Sequence, residues 1–160
     1  MNQQATMQSI RWSREIDTTP DRAFEIFTRD LASWWPAEYT WSGDVMETIA
    51  LEPRQGGRCY ELGPHGFQCD WGRVLAWEPG ERLVLAWQIS PRREPEPDPA
   101  KASEVEISFN RNGSTTMVEF EHRHIDRHGE GSDDYRKALA SEAGWPWILS
   151  RYVERVAGDA

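Results

Sequence analysis

The stretch Trp145 to Val156, WPWILSRYVERV, constrains this chain more than any other. Trp145, Ile148, Leu149, Tyr152, Val153 and Val156 recur at i, i+3, i+4, i+7, i+8 and i+11, while Ser150, Arg151, Glu154 and Arg155 fall opposite them. That period is one apolar stripe on an α-helix, and such a stripe must be laid against another element to leave water. Pro146 fits only in a first turn, so the helix should begin between about Ser141 and Trp145.

The preceding residues supply strands for it to cover. Ile10 to Ile16 alternates apolar and polar side chains. Thr19 and Pro20 then read as N-cap and first position of a helix whose apolar side is Ala23, Phe24, Ile26 and Phe27. A second short helix is expected from Asp30 to Trp35, stopped by Pro36. Strands follow at 58–62, 67–71, on both arms of the hairpin around Glu78-Pro79-Gly80-Glu81, at 105–109 and at 117–124. Between the hairpin and the strand at 105–109, the stretch 90–103 carries four prolines and reads as a long excursion. Ser132-Asp133-Asp134 should cap a short helix reaching Leu139. The expected class is α+β: a curved antiparallel β-sheet gripping a long C-terminal α-helix, with two short helices after the first strand. One domain over 9–158 follows a loose tail at 1–8.

Charge narrows the partners. Eighteen basic against 27 acidic residues leave a net charge of −9, which repels phosphate backbones and anionic lipid surfaces. No nucleic acid and no membrane is therefore expected as partner. No apolar run approaches the length that spans a bilayer, no secretory leader is visible, and a cytoplasmic location is the expectation. Cys59 and Cys69 fit neither a disulfide framework nor zinc spacing. They read as reduced thiols facing each other across a hairpin.

Nine tryptophans are the outlying feature. Each is bulky and carries an N–H that wants a partner when buried, so the excess points toward a walled cavity. LASWWPAEYTW, residues 31–41, places three of them and a tyrosine together.

Asp17 to Phe24, Trp34-Trp35-Pro36, Gly72 to Pro79 with Arg82 to Trp87, His128-Gly-Glu-Gly131 and Gly144 to Leu149 together resemble the helix-grip superfamily of START lipid-transfer domains, birch-pollen-allergen-like proteins and polyketide cyclases. The closer resemblance is to its bacterial branch named after the C-terminal domain of the activator of the heat-shock-protein-90 ATPase. The resemblance implies a cavity between sheet and C-terminal helix that takes apolar small molecules, with no shared reaction and no cofactor. Trp34, Trp41, Tyr60, Trp71, Arg73, Trp87, Phe109, Phe120, His122, Trp145, Leu149 and Tyr152 are the side chains expected around it.

Chemistry-bearing residues are few. His122 and His124, at i and i+2 on one expected strand, should point the same way as Val118 and Phe120. They read as ligand contacts, as acid/base groups or as hydrogen-bonded structural histidines; two ligands do not make a metal site, and none is expected. Arg73 shares its expected strand face with Trp71, Leu75 and Trp77, and Glu61 beside Tyr60 is the candidate buried carboxylate. Residues 128–131, HGEG, lack the Lys-Ser/Thr of a phosphate loop, and no nucleophile-elbow or metalloprotease motif occurs.

Three functions remain in play. The first is a non-catalytic module binding a small apolar or aromatic molecule. The second is a cyclase, dehydratase or hydrolase in which Tyr60, Glu61, Arg73, His122 or His124 positions and protonates a carbonyl substrate. The third is a co-chaperone-like or other interaction protein using its acidic surface or the 90–103 loop.

Overall fold

A computed structural model describes residues 8–159; of the tail expected at 1–8, residues 1–7 lie outside the described residues. Seven strands form one curled antiparallel sheet in the order β1-β7-β6-β5-β4-β3-β2. They are β1 (Ile10–Ile16), β2 (Thr48–Leu51), β3 (Arg58–Leu62), β4 (Gln68–Glu78), β5 (Arg82–Trp87), β6 (Ser103–Asn112) and β7 (Thr115–Arg123). Three α-helices accompany them: α1 (Pro20–Thr28), α2 (Ser132–Ala140) and α3 (Trp145–Ala157).

The terminal stripe takes its expected place. Trp145, Ile148, Leu149, Tyr152 and Val156 of α3 are buried, and Pro146 sits in the first turn. On α1, the Thr19 hydroxyl accepts from Arg22 N at 3.2 Å, so the cap forms as its sequence requires. The inner side of α1 meets α3 and the sheet through rings. Phe24 stands edge-on to Phe109 and Trp77, and Phe27 stands edge-on to Phe109 and Tyr152.

Two local expectations change. The helix expected over Asp30–Trp35 is a single 3₁₀ turn at Leu31–Ser33. Seven residues separate α1 from Pro36, and the segment tightens into one short 3₁₀ turn, as connectors between elements often do. Cys59 and Cys69 do not face each other: Cys59 opposes Gly72, and Cys69 opposes Glu61. The turn between β3 and β4 sets a register of Leu62 with Gln68 and Tyr60 with Asp70, which puts Cys69 opposite Glu61. Beyond it, a bulge in β4 makes Trp71 an extra residue between the partners of Cys59 and Tyr60. Both cysteines are buried and free.

Candidate functional site

Most of the space between α3 and the sheet is filled. Trp34 is 1 % exposed, donates its indole N–H to Ile26 O at 2.9 Å and packs on Phe27 and Tyr152. Tyr152 is fully buried and donates its hydroxyl to Ala23 O at 2.8 Å. Burial raises its pKa far above the ordinary phenol value. Phe109 and Leu149 are equally enclosed. Trp34, Phe109, Leu149 and Tyr152, expected around a cavity, are core.

Room opens at the other end, where the start of α3 meets α2. A cavity of about 450 Å³ lies there, bounded by the 35–41 segment, Trp87 of β5, Ile89 just after it, Arg93 of the proline-rich excursion, α2 and the first turn of α3. Its inner wall is aromatic. Trp87 and Trp145 meet edge-on with ring centres 5.2 Å apart, and Trp35 lies 5.9 Å from Trp145. Behind Trp35, Trp71 stacks at 6.4 Å with an interplanar angle of 19°.

Polar groups hold this wall in place. The Trp87 indole donates to the Tyr135 hydroxyl at 2.8 Å, which donates to Ile89 O at 2.8 Å. Tyr135 is thereby fixed on α2, and burial pushes its pKa up to about 12, so it stays a phenol. At the mouth, Trp41 donates its indole N–H to Arg93 O at 3.0 Å, and Tyr39 donates its hydroxyl to Ala143 O at 2.7 Å. Three segments distant in sequence are thus tied across the opening.

A second polar cluster lies deeper. The Trp145 indole donates to His122 Nδ1 at 3.0 Å; Ser103 Oγ is 2.7 Å from His122 Nε2 and 2.7 Å from His128 Nε2. An indole only donates, so Nδ1 of His122 is bare and its proton sits on Nε2. That proton goes to Ser103 Oγ, the Ser103 hydroxyl donates to His128 Nε2, and the His128 proton is left on Nδ1, which has no partner. Desolvation pushes the pKa of His122 down to about 3 and that of His128 below its ordinary value. Both rings are neutral and lie outside the cavity lining.

The sequence-derived candidates therefore divide. Trp41, Trp87 and Trp145 line the cavity. Phe120 packs behind Trp145 at 4.6 Å, and Trp71 forms part of the second layer. Arg73 is exposed rather than grouped with Trp71, because the Trp71 bulge reverses the faces beyond it. Tyr60 lies beside Arg58, whose guanidinium sits 5.1 Å from its ring centre. Glu61 is fully buried and accepts from Trp41 N at 3.1 Å and Ser42 N at 2.7 Å. Rather than facing substrate, it anchors the loop that carries Trp41. β7 ends at Arg123, and His124 turns into the left-handed region with φ 62°, so it does not follow His122 inward. Tyr60, Glu61, Arg73, His122 and His124 do not converge. Trp35, Tyr39, Ile89, Arg93, Tyr135, Leu139 and Ile148 line the cavity without having been expected there. Two sequence signals were available: the aromatic stretch 31–41 holds Trp35 and Tyr39, and Tyr135 and Leu139 fall at i and i+4 on α2.

Among the described residues no group of three or more His, Cys, Asp and Glu could hold a metal ion, and no helix is long and apolar enough to cross a membrane.

The sheet, the gripping helix and a cavity at their junction define a helix-grip protein. Residues 17–156 match the family described as activator of Hsp90 ATPase homolog 1-like protein, and the chain belongs to that family. Among solved structures, it is similar to an anthrahydroquino-gamma-pyrone synthase, Txn09, solved in complex with a ligand designated SUM. The two are 35 % identical, with 93 % of this chain and 97 % of that chain covered and a TM-score of 0.66. It shares its fold with CalC, a self-sacrificing resistance protein from Micromonospora echinospora, at 24 % identity over 95 % and 96 % of the chains and a TM-score of 0.65. Protein NE0264 from Nitrosomonas europaea shares the fold at 15 % identity, 95 % and 96 % coverage and a TM-score of 0.66. No curated protein matches the chain.

Proposed function

We propose that the chain binds a planar, polycyclic aromatic molecule in the cavity between α2, α3 and the 35–41 segment. The observation that carries this reading is the wall itself: Trp35, Trp87, Trp145 and Tyr135 offer rings to one space of about 450 Å³. That volume lies within the roughly 300–1,000 Å³ typical of small-molecule sites, and desolvation against such rings favours a flat apolar ligand. Its apolar area would contribute about 25 cal/mol per Å² buried. The likeness to a synthase whose name denotes a fused aromatic ring system supports the same class.

Titration with a hydroxyanthraquinone, read by tryptophan emission, tests it. Saturable quenching with one molecule per chain, weakened in Trp41→Ala, is the expected result. Linear, non-saturating quenching that is identical in the variant would overturn it.

The 35 % identity to a synthase favours a second reading, ring closure on the bound molecule. No acid or base from the sequence-derived set faces the cavity; the ionisable lining is Glu38, Tyr39, Arg93 and Tyr135, and holding one folded conformer of the substrate would be the main contribution. Incubation with a linear aromatic ketone precursor and mass analysis of the product separates turnover from binding.

A further inference from the structure

Two charged side chains, Arg93 and Glu38, line the cavity mouth. Among the described residues neither belongs to any ion pair. Seven arginines form no ion pair among the described residues, and of these Arg93 is the one that lines the cavity.

Its position is over-determined. Arg93 has φ 63°, a left-handed conformation that side chains other than glycine rarely adopt. Three contacts hold it there. Arg93 N donates to Ser90 O at 2.8 Å, and the Ser90 hydroxyl accepts from Arg92 N at 3.2 Å and Glu94 N at 3.3 Å. From across the mouth, Trp41 donates to Arg93 O, and Trp41 is itself held by buried Glu61. The outcome is a guanidinium carbon 4.6 Å from the ring centre of Tyr135, a residue only 3 % exposed. Backbone strain that surrounding contacts maintain concentrates where a side chain must be aimed.

The guanidinium is also underused. Of its five N–H donors, one makes a long bond, Nη1 to Pro91 O at 3.5 Å. A guanidinium over an aromatic ring keeps its in-plane donors for a carboxylate or phenolate, which it can grip with two parallel bonds. Glu38, on the 3₁₀ turn Ala37–Tyr39, is exposed like Arg93, and its carboxylate would repel an anionic ligand rather than grip it.

We propose that the cavity selects aromatic ligands bearing an anionic group, a carboxylate or an ionised ring hydroxyl, and that Arg93 is the residue that makes the selection. This rests on the binding reading above and adds the charge of the ligand to it.

The test compares anthraquinone-2-carboxylate with anthraquinone-2-carboxamide, titrated by tryptophan emission into the wild type, Arg93→Met, Arg93→Lys and Glu38→Gln. The wild type should bind the carboxylate about fivefold more tightly, the size of one partly screened ion pair, with the preference shrinking as salt rises. Arg93→Met should erase the preference, so that carboxylate and carboxamide bind alike, because its unbranched stem can still cover Tyr135. Arg93→Lys should keep part of the preference, and Glu38→Gln should enlarge it. Equal affinities in the wild type, or an unchanged preference in Arg93→Met, overturn the charge selection and leave aromatic binding standing. Failure of both probes to bind any form overturns both readings.

Discussion

The indole N–H of Trp145 donates to Nδ1 of His122 across 3.0 Å, joining the first turn of α3 to the inner face of β7. One side of Trp145 thus lines the cavity while its polar edge is spent on a neutral, fully buried histidine. The bond orders the cavity wall and makes the fold sensitive to acid.

The sign of that sensitivity follows from the shift. In the unfolded chain His122 takes a proton near pH 6.5; in the folded chain it resists until about pH 3. Between those values the unfolded state binds more protons, so stability falls as pH drops below 6.5 and is fully present above it. His122 alone should remove about 1.4 kcal/mol for each pH unit in that window, and His128, shifted in the same direction, adds to the slope. Urea midpoints from pH 7 to pH 4 should show the fall, and His122→Gln should show a shallower one. Equal slopes in both proteins would remove His122 from the account.

Trp34 and Trp41 come from the same eleven-residue stretch and should respond in opposite ways. Trp34 is 1 % exposed, with its N–H satisfied inside the core, while Trp41 is 38 % exposed at the cavity mouth. Trp34→Ala should cost about 3–5 kcal/mol of stability, as removal of a buried large ring does. Trp41→Ala should cost about 1 kcal/mol or less, yet weaken ligand binding. Chemical denaturation and ligand titration on the two variants separate the roles.

What the sequence disclosed and what it hid divide by range. The α3 stripe, the Thr19 cap and the alternation of β6 and β7 are local patterns, and each appears where its residues place it. Arg73 was misplaced because the Trp71 bulge depends on pairing with β3, which alternation within β4 does not record. His124 was misplaced by one residue, since β7 ends in a left-handed turn after Arg123. The cavity was hidden for a related reason. Its lining joins residues 35–41, 87–93 and 135–148, and the bonds that gather them, Trp87 to Tyr135 and Trp41 to Arg93, span 48 and 52 residues.

Glu61 offers a test of how the cavity mouth is held. Its carboxylate is fully buried and accepts two backbone N–H groups, from Trp41 and Ser42. Glu61→Leu leaves two partly buried donors without their acceptor and should cost about 1–2 kcal/mol. Glu61→Gln keeps one acceptor oxygen and should cost less. Both should weaken binding of a hydroxyanthraquinone through Trp41, although Glu61 lies outside the lining. Denaturant midpoints and affinity measured together would show whether the two losses move in step.

Gly72 shows how tightly the sheet is drawn behind the tryptophan wall. A Cβ there would lie 2.5 Å from Ala86 O and 3.3 Å from the Cβ of Cys59. The closer neighbour is the backbone of β5, and the other belongs to a fully buried residue of β3, so neither can step aside cheaply. Gly72→Ala should therefore destabilise the fold by about 2 kcal/mol or more through overpacking. Gly113, in the turn between β6 and β7, makes the contrast. Its φ of 65° favours glycine, but nothing lies within 4 Å of an added Cβ, and asparagine accepts that conformation. Gly113→Asn should stay within about 0.5 kcal/mol of the wild type. Because Gly72 lies between Trp71 and the strand that carries Trp87, Gly72→Ala should also shift the tryptophan emission of the folded protein, whereas Gly113→Asn should leave the spectrum unchanged. Thermal melts followed by emission spectra on the two variants check both outcomes.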